Sequence, residues 1–313
     1  MSEPAALAPE APIVRVLAIG ERARRALSRS RGVAGPLAGF DGAPYFMAGE
    51  DIIWVGPSVP AMHPRVVLTD TPPPHGMAFR LAAVPSKGWS ARLPPLRRDT
   101  IGDIPFRVEM LRRALLAAER PRGFGSLLAG NLPRFPLDLA VGRVEALAAA
   151  IECDDAGGAL QPARALLGVG TGLTPSGDDL VGGALFGRRF IAAGDRRWGR
   201  LAKRLAHEIR TRSHAVSAAL FADLAAGRSF APLHAMADAL ATGDGTGALS
   251  AAQPLARIGH SSGWDMLAGF LIGICERARL SVRAVAQEKF GSDILRRPVL
   301  DDANPKFPVP LSS

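Results

Sequence analysis

The chain has 313 residues, 48% of them hydrophobic, enough to bury a sizeable core in one large or two modest domains. Two cysteines, Cys153 and Cys275, exclude a disulfide framework and fit a reducing, cytoplasmic setting, and the longest uncharged apolar run, near Met266–Cys275, is far too short to span a bilayer. The net charge is +9, and of 38 basic residues only Lys87, Lys203, Lys289 and Lys306 are lysine, so the chain is rich in a side chain that pairs bidentately with carboxylate and phosphate. The arginines are spread along the chain, and base bias in the coding sequence accounts for such an excess equally well.

The Met1-Ser-Glu-Pro start has no basic region before an apolar run, so no signal peptide is read, and residues 1–12 are expected to form a disordered leader. From Ile13 to residue 104, short apolar runs are broken by Gly and Pro. Tyr45-Phe-Met, Asp51-Ile-Ile-Trp-Val, Arg65-Val-Val-Leu-Thr and Met77-Ala-Phe-Arg-Leu carry a strand-and-turn signature, with one helix near residues 20–30. The densest basic cluster, Arg22, Arg24, Arg25, Arg29 and Arg31, lies on that helix without aromatic interleaving. It reads as a solvated helix face, and no nucleic-acid partner is expected.

After Pro105 the period becomes helical. Helices are expected over Phe106–Glu119, Gly142–Ile151, Pro162–Leu167, Ser176–Ala193, Trp198–Arg210, Ala215–Ala226, Ala231–Ala241 and Ser262–Arg279. The fold class is therefore α+β: a β-rich domain over residues 13–104, a larger α-helical domain over 105–297, and a proline-bearing extended tail over 298–313.

Two segments of the helical part carry the chemistry. Gly168-Val-Gly-Thr-Gly-Leu-Thr-Pro-Ser-Gly-Asp-Asp179 sets three alternating glycines before a helix start, with Thr174 or Ser176 as cap and Pro175 preset for the first turn. A helix N-terminus offers unpaired N–H groups and partial positive charge, a ready site for phosphate or carboxylate. No lysine follows the glycines, so this is not a Walker A loop. A lone loop of this kind is as well explained by a tight interhelical turn.

A second segment changes that weighing. Ser262-Gly-Trp-Asp-Met-Leu-Ala-Gly-Phe-Leu-Ile-Gly273 repeats Ser176-Gly-Asp-Asp-Leu-Val-Gly-Gly-Ala-Leu-Phe-Gly187 almost position for position. In each, the Asp stands three residues after the Ser, as in a reciprocal cap, and Asp179, Gly183, Gly187 and Asp265, Gly269, Gly273 each share one helix face. Glycine inside a helix costs about 1 kcal/mol against alanine, so these stripes predict close contact between two buried helices. If they meet in parallel, both N-termini and both aspartates converge; if antiparallel, the aspartates separate. Two converging buried carboxylates repel, so one is expected to be protonated or to face a cation. Asp178 has no cap role at its spacing and is the better candidate for contact with substrate or metal.

His260, before Ser261 and Ser262, can polarise a carbonyl or shuttle a proton, or serve only as a loop residue. Gly259-His-Ser-Ser-Gly263 resembles a nucleophile elbow only superficially, since a helix rather than a strand precedes it. His207 and His214 do not match a zinc spacing. Thr211 and Ser213, with Arg210 or Arg212, either cap a helix or reach an anion.

Together, Gly170-Thr-Gly-Leu-Thr-Pro-Ser-Gly-Asp-Asp179 and Gly259-His-Ser-Ser-Gly-Trp-Asp265 resemble the AllH-type family, associated with oxamate carbamoyltransferase of allantoin catabolism. The resemblance covers about residues 130–290 and extends to Thr211-Arg-Ser-His-Ala-Val-Ser217; the family carries Pro where Thr171 stands here. It implies phosphorolysis of a ureido acid, oxalurate plus phosphate giving oxamate and carbamoyl phosphate. It also implies a heteromeric enzyme whose companion subunits resemble acyl-CoA synthetase-type proteins. On this reading Gly170, Thr171, Gly172, Thr174, Ser176 and Gly177 bind phosphate or substrate together with Ser261, Ser262, Gly263 and Asp265, and His260, Asp178 and Asp179 are catalytic. No metal and no cofactor is expected, although a metal-dependent phosphotransferase using Asp178 and Asp179 is a related alternative. The other alternative is a non-catalytic ligand-binding or assembly subunit in which both motifs serve packing.

Overall fold

A computed structural model of the chain describes residues 12–39, 44–74, 76–274 and 276–290. The anticipated leader (apart from Pro12), the tail, His75 and Cys275 lie outside the described residues.

Six short strands come first: β1 (Ile13–Ile19), β2 (Val33–Pro36), β3 (Tyr45–Ala48), β4 (Asp51–Gly56), β5 (Val66–Thr69) and β6 (Phe79–Ala82). They close into a barrel in the order β1-β5-β4-β3-β2-β6, with β1 parallel to β6 and antiparallel to β5. A register shift between Val16 and Ala18 lets β1 bend between its two partners. Helix α1 (Glu21–Arg29) covers one side of the barrel. Ala23, Ala26 and Leu27 fall at helical spacing and bury against Ile19, Ile53, Val67 and Phe79, leaving Arg25 and Arg29 exposed, while Arg22 is half-buried rather than on a solvated face.

The remaining helices are α2 (Arg98–Ile101), α3 (Ile104–Ala118), α4 (Val141–Glu152), α5 (Leu160–Leu166), α6 (Ser176–Ile191), α7 (Arg196–Glu208), α8 (Ala215–Ala225), α9 (Ala231–Thr242), α10 (Gly245–Ala256), α11 (Ser262–Ile274) and α12 (Glu276–Phe290). A further short turn of helix spans Gly123–Ala129. The architecture is α+β, with strands first and helices after. A helix ahead of Gly259 was read without bounds, and neither the extent of α10 nor the full length of α12 was anticipated from the sequence. At the centre lie α6 and α11, whose residues 176–187 and 263–274 are buried without interruption, as expected of helices that are apolar or small on every face. No helix among the described residues is long and apolar enough to cross a membrane.

Barrel and helices are tied by a buried ionic network. Asp223 of α8 is fully buried and accepts hydrogen bonds from Arg65 at 2.6 Å, Arg22 at 2.9 Å and Arg228 at 3.2 Å. Phe230 stacks edge-on to Trp54, and Met62 O accepts the Ala231 N–H. Removing one member of a buried charge network leaves the others uncompensated. Asp223→Asn is therefore expected to lose about 3 kcal/mol of stability in urea unfolding. A loss below about 1 kcal/mol would mean that the arginines solvate readily without it.

Candidate functional site

The glycine stripes set the geometry. A Cβ on Gly183 would lie 2.2 Å from Met266 O and one on Gly187 2.6 Å from Phe270 O, while Cβ atoms on Gly269 and Gly273 would lie 1.9 Å from Leu180 O and 2.6 Å from Ala184 O. Moving one turn along α6 moves the contact one turn along α11 in the same sense. The helices run parallel with backbones in contact, and both N-termini sit at one end.

At that end the two motifs exchange side chains. Thr174 and Ser262 share a hydroxyl–hydroxyl hydrogen bond of 2.9 Å, and Ser176 and Ser261 a longer one of 3.4 Å. The Ser262 and Thr174 hydroxyls favour the charged form of Asp179, and those of Ser176 and Ser261 do the same for Asp265. This differs from the expected reciprocal caps. Pro175, not Ser176, occupies the cap position of α6, no side chain caps it, and each serine reaches across to the other helix.

Asp179 and Asp265 are 4% and 0% exposed, and the Oδ2 atom of each is buried without a hydrogen-bond partner. Burial pushes the Asp265 carboxyl up to about 7, against the opposing pull of the Ser176 hydroxyl and the Phe124 N–H. Burial and then the charge of Asp265 push Asp179 well above the ordinary carboxylate range. Asp265 Oδ1 also accepts the Phe124 N–H at 2.6 Å and lies where a Cβ on Gly123 would be, 2.2 Å away. Only glycine fits there, and Asp265 thereby pins the turn after α3.

Above the pair opens a cavity of about 740 Å³. Gly170, Thr171, Gly172, Thr174, Ser176, His260, Ser261 and Ser262 all line it, so the structure brings these residues of both motifs together. Gly170 holds a φ of 113° and brings its backbone against Ser176, which folds the loop back over the helix start. Among the described residues, none accepts a hydrogen bond from the backbone N–H groups of residues 170–174, which remain available to an acceptor in the cavity.

The other five residues singled out from the sequence do not line this cavity. Asp179 and Asp265 lie beneath its floor. Asp178 is 1% exposed, and its oxygens are committed to the Gly168 N–H at 2.7 Å, the Ser217 hydroxyl at 2.6 Å and the Ser213 hydroxyl. The expectation that it meets substrate or metal gives way to a pin between the loop and α8; of the two hydroxyls read as anion ligands or caps in that segment, Ser213 is its partner, whereas Thr211 donates to Glu208 O at 3.1 Å. Gly177 donates its N–H to Val169 O, and Gly263 to Ile258 O. A Cβ at either would strike the preceding helix end, 2.0 Å from Leu166 O or 1.8 Å from Leu255 O. Both are packing glycines, and neither N–H faces the cavity.

Sequence reasoning missed three cationic residues of the wall: Arg120, Arg122 and Arg134. Arg120 and Arg122 come from the turn that Asp265 pins, and Arg122 donates to His260 O at 3.3 Å. Arg134 comes from the loop ahead of Pro136. Loop arginines carry no periodic signal, and only the shared proximity to the glycine motifs sets them apart.

Two parallel helix starts, a serine–threonine lattice over paired carboxylates and three arginines can hold two small anions against each other. Residues 166–274 match the family model of the oxamate carbamoyltransferase subunit AllH. That stretch holds both motifs and spans α6 to α11, which supports the resemblance read from the sequence. It covers less than half of the chain and leaves the barrel and Arg120, Arg122 and Arg134 outside. No curated protein and no solved structure matches the chain.

Proposed function

We propose that the chain is a subunit of a carbamoyltransferase that phosphorolyses a ureido acid, oxalurate plus phosphate giving oxamate and carbamoyl phosphate. The observation that carries this reading is the convergence of both helix starts and three arginines on one cavity. Both reactants are anions, and holding them side by side needs two sets of fixed donors. The open N–H groups of residues 170–174 take the phosphate, with Arg120 and Arg122 neutralising it. Arg134 takes the substrate carboxylate.

A phosphate oxygen attacks the carbamoyl carbon, the C–N bond to the oxamate nitrogen breaks, and that nitrogen takes up the proton carried by the incoming phosphate. The turn at residues 260–262 polarises the carbamoyl oxygen as charge develops on it, and His260 moves the proton between oxygen and nitrogen. Ser176 and Ser262 connect the cavity to Asp179 and Asp265, which together hold a proton out of water's reach. Asp178 acts through the loop it anchors, as a positioning residue.

Phe135 is 78% exposed and Leu173 37% exposed at the rim, which favours a companion subunit closing the site. The same rim favours the second reading, an assembly subunit without chemistry of its own. Carbamoyl phosphate formation by the reconstituted complex separates the two. His260→Ala is expected to lower kcat about 100-fold, and Arg134→Ala to raise the oxalurate KM about tenfold with kcat retained. Parental turnover in both folded variants would leave only the assembly reading.

A further inference from the structure

A second cavity, of about 590 Å³, lies where α1 of the barrel meets the end of α6 and the turn after α8. It shares no lining residue with the first. Ser176 and Arg189 are thirteen residues apart on α6, so the two cavities stand about 20 Å apart along that helix. The wall holds Arg22, Arg25, Arg29, Arg92, Arg189 and Arg228 against only two carboxylates, Glu21 and Asp51.

Most of these guanidinium groups are held in place. Asp51 takes Arg22 and Arg29, the buried Asp223 behind the wall takes Arg22 and Arg228, and Glu21 is shared between Arg24 and Arg25. Arg92 and Arg189 have no ion-pair partner among the described residues. Gly227, with φ 75°, adds no side chain where a Cβ would lie 2.8 Å from Arg189 Cδ, so the arginine lies across the turn. Such an excess of like charge in a cleft is self-repelling unless an anion fills it.

We propose that this cleft binds a multiply phosphorylated small molecule of the nucleoside polyphosphate class. A single phosphate engages one or two guanidinium forks, whereas Arg92 and Arg189, unpaired among the described residues, beside four further arginines fixed by their carboxylates, fit a chain of phosphates. The volume falls within the usual range for a small-ligand pocket, about 300–1,000 Å³. Pro64, Ala91, Leu93 and Ala226 give the remainder of the ligand an apolar wall. No aromatic side chain lines the cleft, so it lacks the stacking platform of a single-stranded nucleic-acid groove.

Calorimetric titration of the full chain with ATP, pyrophosphate, inorganic phosphate and a short single-stranded oligonucleotide tests this. ATP and pyrophosphate are expected to bind at least tenfold more tightly than phosphate, with affinity falling as salt rises. Arg92→Ala and Arg189→Ala, exposed positions outside the ion-pair network, are each expected to weaken ATP about tenfold, and Arg134→Ala in the first cavity to leave it unchanged. ATP binding no tighter than phosphate, binding indifferent to Arg92 and Arg189, or displacement of ATP by the oligonucleotide would each overturn the proposal. Arg92 and Arg189 line only the second cavity, so the outcome in these two variants leaves the carbamoyl-transfer reading untouched.

Discussion

Gly269→Ala is expected to lose at least about 4 kcal/mol of stability in urea unfolding, placing it among the exceptional single substitutions. The added Cβ would stand 1.9 Å from Leu180 O, 2.8 Å from the carbonyl carbon and 2.9 Å from Ala184 N. All three are backbone atoms in the middle of α6, so no rotamer change relieves the clash. The helices must part by more than 1 Å, a shift that spreads along the interface to Gly183 on Met266 O and Gly273 on Ala184 O. Gly199 supplies the control, because it lies inside α7 with nothing within 4 Å of its Cβ position. There alanine is expected to gain about 0.5–1 kcal/mol through helix propensity and a less free unfolded chain. A loss below about 1 kcal/mol at Gly269 would mean that α6 and α11 do not touch by backbone. The parallel convergence of their N-termini would then lose its foundation.

That convergence was half legible in the sequence. A stripe of Asp, Gly and Gly at intervals of four, repeated after 86 residues, forces close helix contact because glycine has no other advantage inside a helix. Direction was not legible, since a stripe is compatible with either sense of crossing. The cap pattern misled for a related reason. Ser176 and Asp179 have the spacing of partners on one helix, and only the parallel approach of α11 brings Ser261 and Ser262 near enough to compete. Asp178 illustrates the same limit. Its partners Gly168, Ser213 and Ser217 are up to 39 residues away, and no local rule reveals that three donors already surround it.

Elements of the fold followed a similar division. The helices with strong apolar periodicity were readable, whereas α10 begins Gly245-Thr-Gly and carries Pro254, so its intrinsic preference hides its extent. The strands β3 to β6 were readable as short apolar runs, β1 and β2 were not singled out, and four-residue strands do not encode their neighbours. Closure of the barrel by parallel pairing of β1 with β6 joins residues more than sixty positions apart, and packing around Phe79 and Val14 decides it.

Asp265→Asn is expected to change how stability depends on pH, by about 4 kcal/mol across the neutral range. In the folded protein the Asp265 carboxyl titrates at about 7, whereas in the unfolded chain it titrates near the ordinary value of about 3.9. The folded value is raised, so its stabilising contribution is complete below the unfolded value and is lost as pH climbs to 7. Three units at about 1.4 kcal/mol each give the magnitude, undiminished by solvent because the side chain is fully buried. Asparagine has no such loss. Its oxygen can still accept the Phe124 N–H, and an uncharged neighbour no longer raises Asp179. Two buried histidines act in the opposite sense. Burial holds His63 down to about 3 and His234 down to about 4, so the stability they confer is lost as pH falls below about 6.5. Both remain in the variant and cancel in the difference between the two proteins. Urea unfolding of parent and variant at intervals from pH 4 to pH 8 should therefore show the variant gaining steadily on the parent until about pH 7 and holding level beyond. Parallel curves across that window would mean that Asp265 ionises like an exposed carboxylate. The floor of the cavity would then hold two charges rather than a shared proton.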